Sequence, residues 1–174
     1  MQGGIQGRQA GMVLVISLIF LLLLSLVGLS SIQGAVSQQK VAGSLWHRNQ
    51  SFQSAESGLR LGESVVERGG AALPVCHSVI TCAPPDESFA VVGAGTNPVS
   101  AVTWVAFKDG FYGVQALGAG AGLAHLPPHT SAALFRVTAV GLASQSRTVL
   151  ETVYARVEEG GGVRFRRVLW RQLQ

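Results

Sequence analysis

Charged side chains are scarce in this chain of 174 residues, and none lies between Arg8 and Lys40. Residues 11–29, the first part of that interval, are almost entirely apolar and include a leucine block. About 18 apolar residues, at about 1.5 Å each, are enough to cross the hydrocarbon core of a bilayer. We therefore expect the chain to enter a membrane by its N-terminus, with everything after about Ile32 on one side of it.

The apolar run could instead belong to a removable signal peptide. Signal peptides have an apolar region of about 7–15 residues, followed by a small-residue cleavage site. The run is longer than that, and Gly34-Ala35 is only a weak cleavage site. A retained anchor is favoured, with Arg8 and the N-terminal amine on the cytoplasmic side.

Lysine is nearly missing, since only Lys40 and Lys108 occur among the 13 basic residues. Basic surfaces can bind nucleic acid or anionic lipid. The formal net charge is only +4, however, and no recognition module or interleaved set of aromatic residues accompanies it. We therefore expect no nucleic-acid partner.

The sequence also lacks the spacing of common catalytic motifs. It has no G-x-S-x-G or H-E-x-x-H motif, and Gly118–Gly122 lacks the spacing of a phosphate-binding loop. His125 and His129 are spaced to share a helical face, but Pro127-Pro128 lies between them and disfavours a helix. We expect no catalytic residue, no metal site and no cofactor.

Only two cysteines occur, Cys76 and Cys82. Outside the cytoplasm a close pair is usually oxidised, which closes a small loop. The alternative is a metal site, but zinc-binding pairs usually stand two to four residues apart and need two further ligands. The four histidines do not supply these ligands convincingly, so a disulfide is the favoured interpretation.

Proline is absent before Pro74, and an apolar stripe with helical spacing runs through residues 41–66. Gly69-Gly70 ends the pattern as helices commonly end. We predict a continuous helix from Met12 to Arg68. The alternative is a membrane helix joined by a flexible neck to a separate amphipathic helix, because three glycines permit bends. The stripe consists of Val41, Leu45, Phe52, Ala55, Leu59, Gly62 and Val66.

Beyond the helix the sequence predicts a small antiparallel sheet with one covered face. Residues 71–98 contain four prolines and are expected to form loops. A hairpin is expected around a turn at Asp109-Gly110, and Gly118–Gly122 is expected to form a loop. The predicted fold class is α+β, with a long N-terminal helix packed on the sheet. The predicted strands cover residues 101–108, 111–117, 134–141, 146–157 and 163–169.

Three segments resemble a known family. Residues 8–18 (RQAGMVLVISL), the following leucine block and Gly28-Leu29-Ser30-Ser31 resemble the N-terminus of PilX-type minor pilins of type IV pilus systems. Residues 41–60 resemble the next segment of that family, and residues 135–154 are similar to its closing strands. No resemblance is seen from residue 71 to residue 130. The resemblance implies a pilin-like fold.

The resemblance also implies processing by prepilin peptidase. That enzyme would cut after Gly11 on the cytoplasmic face and leave Met12 as a new, N-methylated terminus. Residues 1–11 would be the cytoplasmic leader and residues 12–32 the transmembrane part of the helix. Residues 33–68 would be the periplasmic half of the helix, and residues 71–174 a globular domain with a disulfide loop. The helix would assemble with other subunits through Ile16, Val41, Leu45, Phe52 and Leu59.

Ile16 departs from the pattern of major pilins, which carry glutamate at the fifth mature position. That carboxylate is thought to meet a neighbour's N-terminal amine inside an apolar bundle, where an ion pair has directional value. Its absence suggests a subunit at the fibre tip or in an initiating complex. The resemblance thus implies a non-catalytic minor pilin that helps to initiate pilus assembly. Its partners would be other minor pilins, the major pilin, prepilin peptidase and the inner membrane.

The implied location is the bacterial inner membrane, crossed once, with the C-terminal domain in the periplasm, and later the fibre at the cell surface. One alternative is a K-like pseudopilin of type II secretion, although those proteins usually have a much larger inserted domain and calcium sites. Another is a signal-anchored periplasmic enzyme or binding module, which would need a convergent polar site. The sequence does not show such a site.

Overall fold

A computed structural model describes residues 6–69, 72–123 and 130–174, with only the backbone described for residues 6–10. The chain divides into two compact units, one ending at Leu45 and the other beginning at Trp46. Helix α1 extends from Gln6 to Gly69 and passes through Gly28, Gly34 and Gly43, the three glycines that permit bends. It begins six residues before the predicted start at Met12. Residues 1–5 of the predicted leader lie outside the described residues.

The second unit contains a six-stranded antiparallel sheet in which each strand pairs with its neighbours in sequence. The α+β prediction is therefore confirmed. The predicted loop region before the sheet contains a short helix, α2, and a 3₁₀ turn at Asp86–Phe89. The elements are α2 (Val79–Cys82), β1 (Gly95–Thr96), β2 (Thr103–Phe107), β3 (Gly110–Gly120), β4 (Ala132–Ala143), β5 (Ser146–Glu159) and β6 (Gly162–Gln172).

The first hairpin turns one residue earlier than predicted. Phe107 pairs with Gly110, so the turn residues are Lys108 and Asp109. Gly110 is needed for space and not for the turn, because a Cβ atom there would lie 1.9 Å from the carbonyl oxygen of Val140 on β4. The turn predicted at Asp109-Gly110 is therefore wrong by one residue.

The glycine-rich stretch after this hairpin is partly a strand, contrary to the predicted loop. β3 continues to Gly120, which pairs with Ala132 on β4. The register shifts between Ala116 and Gly118, and Gly118 has a positive φ of 89°. This bulge lets a glycine-rich segment remain in the sheet. His125, His129 and the prolines between them lie outside the described residues.

The apolar stripe of α1 covers one face of the sheet, as its spacing predicts. Ala55, Leu59 and Val66 are buried in a cluster with residues of β3, β4 and β5. The prediction that the other face is open is wrong. Trp104 and Val149 are buried on that face in a second cluster, which the 3₁₀-turn region joins through Val91.

Hydrogen bonds explain why the second face is covered. Arg147 on β5 donates to the carbonyl oxygens of Ser88 (3.2 Å) and Val91 (3.0 Å). Gln115 on β3 donates to the carbonyl oxygens of Thr81 (2.7 Å) and Ala83 (3.1 Å). The alternation of polar side chains indicated a solvent-facing surface, but these side chains bind the backbone of the segment before the sheet.

Candidate functional site

The first unit has an exposed apolar surface. Judged by length and composition alone, α1 is long and apolar enough to cross a membrane, with a mean hydropathy of 3.0 over its most apolar 18 residues. Among the predicted assembly residues, Ile16, Val41 and Leu45 are 60%, 56% and 52% exposed. Met12, after the predicted cleavage position Gly11, is exposed too. Such a continuous apolar surface requires lipid or other apolar helices.

The other two predicted assembly residues contact their own domain. Leu59 is buried in the core, and Phe52 packs against the same cluster. Phe52 also meets the ring of Trp170 on β6 edge to face, with ring centroids 6.3 Å apart. The structure therefore separates the predicted set into exposed residues before Trp46 and sheet-bound residues after it.

Small residues allow close contact between α1 and the sheet. A Cβ atom on Gly62 would lie 2.3 Å from Cγ1 of Val137, and one on Gly141 would lie 2.0 Å from the carbonyl oxygen of Ser51. The hydroxyls of Ser51 and Thr148 form a buried hydrogen bond of 2.8 Å across the same interface. Close packing of this kind holds the later part of α1 firmly on the sheet.

Polar contacts at the margin of this interface link α1 to the last two strands. Glu63 accepts two hydrogen bonds from Arg167, at 2.7 and 2.9 Å. Glu67 accepts one from the hydroxyl of Tyr154, at 3.0 Å. Burial, reinforced by the hydrogen bond and charge of Glu67 and opposed by Arg167, raises the pKa of Tyr154 to about 12.

A buried charge cluster lies on the other face of the sheet. Glu151 on β5 is fully buried, with Oε2 3.2 Å from Nε of Arg136 and Oε1 2.9 Å from Nη2 of Arg171. Burial lowers the pKa of Arg136, Glu151 opposes that shift, and the charge of Arg171 adds to it. This cluster was not predicted from the sequence. The sequence did contain a signal for it: Glu151 lies on a strand face where its neighbours, Val149 and Val153, are apolar.

The cluster supports the disulfide loop. The structure joins Cys76 to Cys82, with Cα atoms 5.3 Å apart. The carbonyl oxygen of Cys82 accepts a hydrogen bond of 2.6 Å from Nη1 of Arg136. At the other end of the loop, the amide of Cys76 donates to the carbonyl oxygen of Ala116 on β3, at 2.9 Å. The loop is thus held at both ends by the sheet.

An apolar cleft of about 510 Å³ lies between the disulfide loop, strands β2 and β3, and Val65 of α1. Its walls include Val75, Val105 and Val114. Across residues 6–69, 72–123 and 130–174, no three histidine, cysteine, aspartate or glutamate side chains come together as a metal site would require. The acidic side chains described above, Glu63, Glu67 and Glu151, contact side chains on other elements of the fold.

Comparison with known proteins bears on the first helix. Residues 10–60 match the family described as PilX N-terminal. No curated protein and no solved structure matches the chain. The matched segment covers less than a third of the chain, and it contains the exposed apolar part of α1 and the beginning of the stripe bound to the sheet. The resemblance seen in the sequence is therefore confirmed for this segment: residues 10–60 are similar to the PilX N-terminal family.

Proposed function

We propose that this protein is a minor pilin of a type IV pilus, a structural subunit that helps to initiate fibre assembly and occupies the fibre tip. The observation that carries the proposal is the match of residues 10–60 to the PilX N-terminal family. In those residues an uncharged, exposed helical segment precedes a part of the helix that is bound to its own domain.

The proposed mechanism is a transfer of apolar surface. The side chains from Met12 to Ile32 are stable in the inner membrane, because lipid shields them from water. On assembly they would move from lipid into a bundle of similar helices, so the apolar surface never contacts water. The domain beginning at Trp46 would remain in the periplasm and then on the fibre. This role needs no catalytic group.

The tip position rests on Ile16. A subunit with an apolar residue at the fifth mature position can offer its N-terminal amine to a neighbour but has no carboxylate there to accept one. Such a subunit fits above others in the fibre and is unsuited to repetition along the shaft. The direct partners would be other minor pilins and the major pilin.

The proposal is tested by the N-terminal sequence of the mature protein in cells with and without prepilin peptidase. We expect the chain to begin at Met12, with an N-methylated amine, only when the peptidase is present. A chain that still begins at Met1 in peptidase-containing cells would contradict the proposal. A soluble species beginning near Val36 would also contradict it and would indicate a secreted protein.

A further inference from the structure

Strand β6 forms an open edge of the sheet. It pairs with β5 on one side, and among the described residues no strand pairs with its other side. It has 11 residues and most of them are exposed, whereas the opposite edge strand, β1, has only two residues. An open strand of this length is able to pair with another chain.

The hairpin geometry shows which backbone groups are available. Glu159 pairs with Gly162 across the two-residue turn at Gly160-Gly161. Residues that flank such a turn form a hydrogen-bonded pair, and hydrogen-bonded and non-hydrogen-bonded pairs then alternate along the strands. Val163 and Phe165 therefore direct their backbone N–H and C=O groups away from β5, toward the open side.

The charge of β6 determines what can pair with it. The strand contains four arginines and no acidic residue. Arg164 and Arg166 share the carboxylate of Glu159 at 3.8 and 4.0 Å, which are long distances for an ion pair. Pairing of β6 with a second copy of itself would bring arginines together, and like charges opposite one another destabilise a sheet. Pairing between two β6 strands is therefore unfavourable, whereas pairing of β6 with an acidic strand is favourable.

We propose that β6 is a docking edge for an extended acidic segment of a different protein chain, which joins the sheet as a seventh strand. Backbone hydrogen bonds from Val163 and Phe165 supply affinity, and Arg164 and Arg166 select glutamate or aspartate. Val163 and Leu169, which are 45% and 42% exposed, supply apolar contacts to the added strand. This binding goes beyond the proposed pilus function and does not depend on it.

The test measures binding of fluorescent peptides to the full-length chain in detergent micelles. One synthetic peptide alternates glutamate with valine over the length of β6, and a second has lysine in place of every glutamate. We expect saturable binding of the glutamate peptide only. Arg164→Glu with Arg166→Glu should weaken that binding about tenfold, because two favourable cross-strand pairs become unfavourable.

Two variants separate strand addition from general charge attraction. Val163→Pro removes one outward N–H group and leaves the pairing with β5 intact, so it should weaken binding without lowering the unfolding temperature. Arg60→Glu makes the charge change of Arg164→Glu or Arg166→Glu alone on exposed α1 surface and should leave binding unchanged. The proposal is overturned if the glutamate peptide fails to bind, or if binding is insensitive to Val163→Pro. It is also overturned if Arg60→Glu weakens binding as much as a reversal at Arg164 or Arg166.

Discussion

Glu151 is a fully buried carboxylate that lies between the guanidinium groups of Arg136 and Arg171. Removal of one partner from a buried ion cluster leaves the remaining charge without compensation. We expect Glu151→Ala to lower the free energy of unfolding by about 3 kcal/mol or more, because Arg136 would stay buried without its carboxylate. Denaturant unfolding of the full-length chain in detergent measures this change.

Two variants make this prediction specific. Arg136→Met combined with Glu151→Leu should be less destabilising than the sum of the single changes, since it removes the isolated charge. Glu158→Ala removes an exposed carboxylate from the same strand and should change the free energy by less than about 0.5 kcal/mol. Equal losses from Glu151→Ala and Glu158→Ala would show that the buried cluster does not stabilise the fold.

Tyr154 links the pH dependence of stability to the contact between α1 and β5. Its pKa is raised from 10.0 to about 12, chiefly by burial and then by Glu67. The folded state therefore favours the neutral phenol. This contribution to stability is fully present below pH 10 and is lost as the pH rises through about 12.

We expect the phenolate absorbance to show a late titration step that Tyr154→Phe removes. Glu67→Gln should move the step to lower pH, because the phenolate would no longer face a neighbouring carboxylate. A step that is unmoved by Glu67→Gln would contradict the contribution assigned to Glu67, and an unchanged curve in Tyr154→Phe would assign the step to another group.

At the level of elements, the close contact between α1 and the sheet depends on glycine residues, which have no side chain. Gly62→Ala should lower the free energy of unfolding by about 1–3 kcal/mol, because its Cβ atom would overlap with buried Val137. Gly43→Ala is the matched control, since nothing lies within 4 Å of a Cβ atom there. The control should be neutral or slightly stabilising, as alanine favours helix. Thermal unfolding of both variants in detergent tests the contact, and equal melting temperatures would disprove it.

The disulfide loop is a second element whose stability can be tested. Cys76→Ser should cost roughly 2 kcal/mol under oxidising conditions, the chain-entropy estimate for a loop this small. It should also lower pilus yield, because the loop would no longer be closed over Arg136. A reducing agent should bring the wild type down to the level of the variant. Free alkylation of both thiols in protein taken from the periplasm would contradict this prediction.

Much of this fold is predictable from the sequence, because it follows from local patterns. The spacing of Ala55, Leu59 and Val66 predicts the face of α1 that packs on the sheet, and β-rich runs predict β2 to β6. The early hairpin turn is not predictable in this way, since it depends on how closely Gly110 approaches β4. The cover on the second face is not predictable either, because Arg147 bonds to carbonyl groups nearly 60 residues away in the chain.

The candidate site is likewise predictable from the sequence only in part. The exposed apolar segment and its PilX-type character are readable from residues 10–60 alone. The sequence does not show which assembly residues remain available for other subunits, because Leu59 and Ile16 are both apolar residues in a helical pattern. Only the fold shows that Leu59 packs within its own domain, while Ile16 is 60% exposed.

At the scale of the whole molecule, Ile16 connects the first helix with a place in the fibre. A glutamate at this position puts a charge into an uncharged membrane segment, which is unfavourable in lipid. We expect Ile16→Glu either to lower the amount of the subunit in the inner membrane or to place it along the fibre shaft. Immunogold labelling of fibres and counts of piliated cells measure this, with Ile16→Val as the control. Unchanged labelling and piliation would argue against the tip position.

The order of the elements also has a consequence for biosynthesis. Ser51 bonds to Thr148 and Glu63 to Arg167, partners that are 97 and 104 residues later in the chain. At about 5–20 residues per second, between roughly 5 and 20 seconds separate synthesis of the two sides of this contact. During that interval the ribosome has released the helix but not the strands that will cover it. Ala55, Leu59 and Val66 therefore remain without the last of their covering strands until the final hairpin emerges.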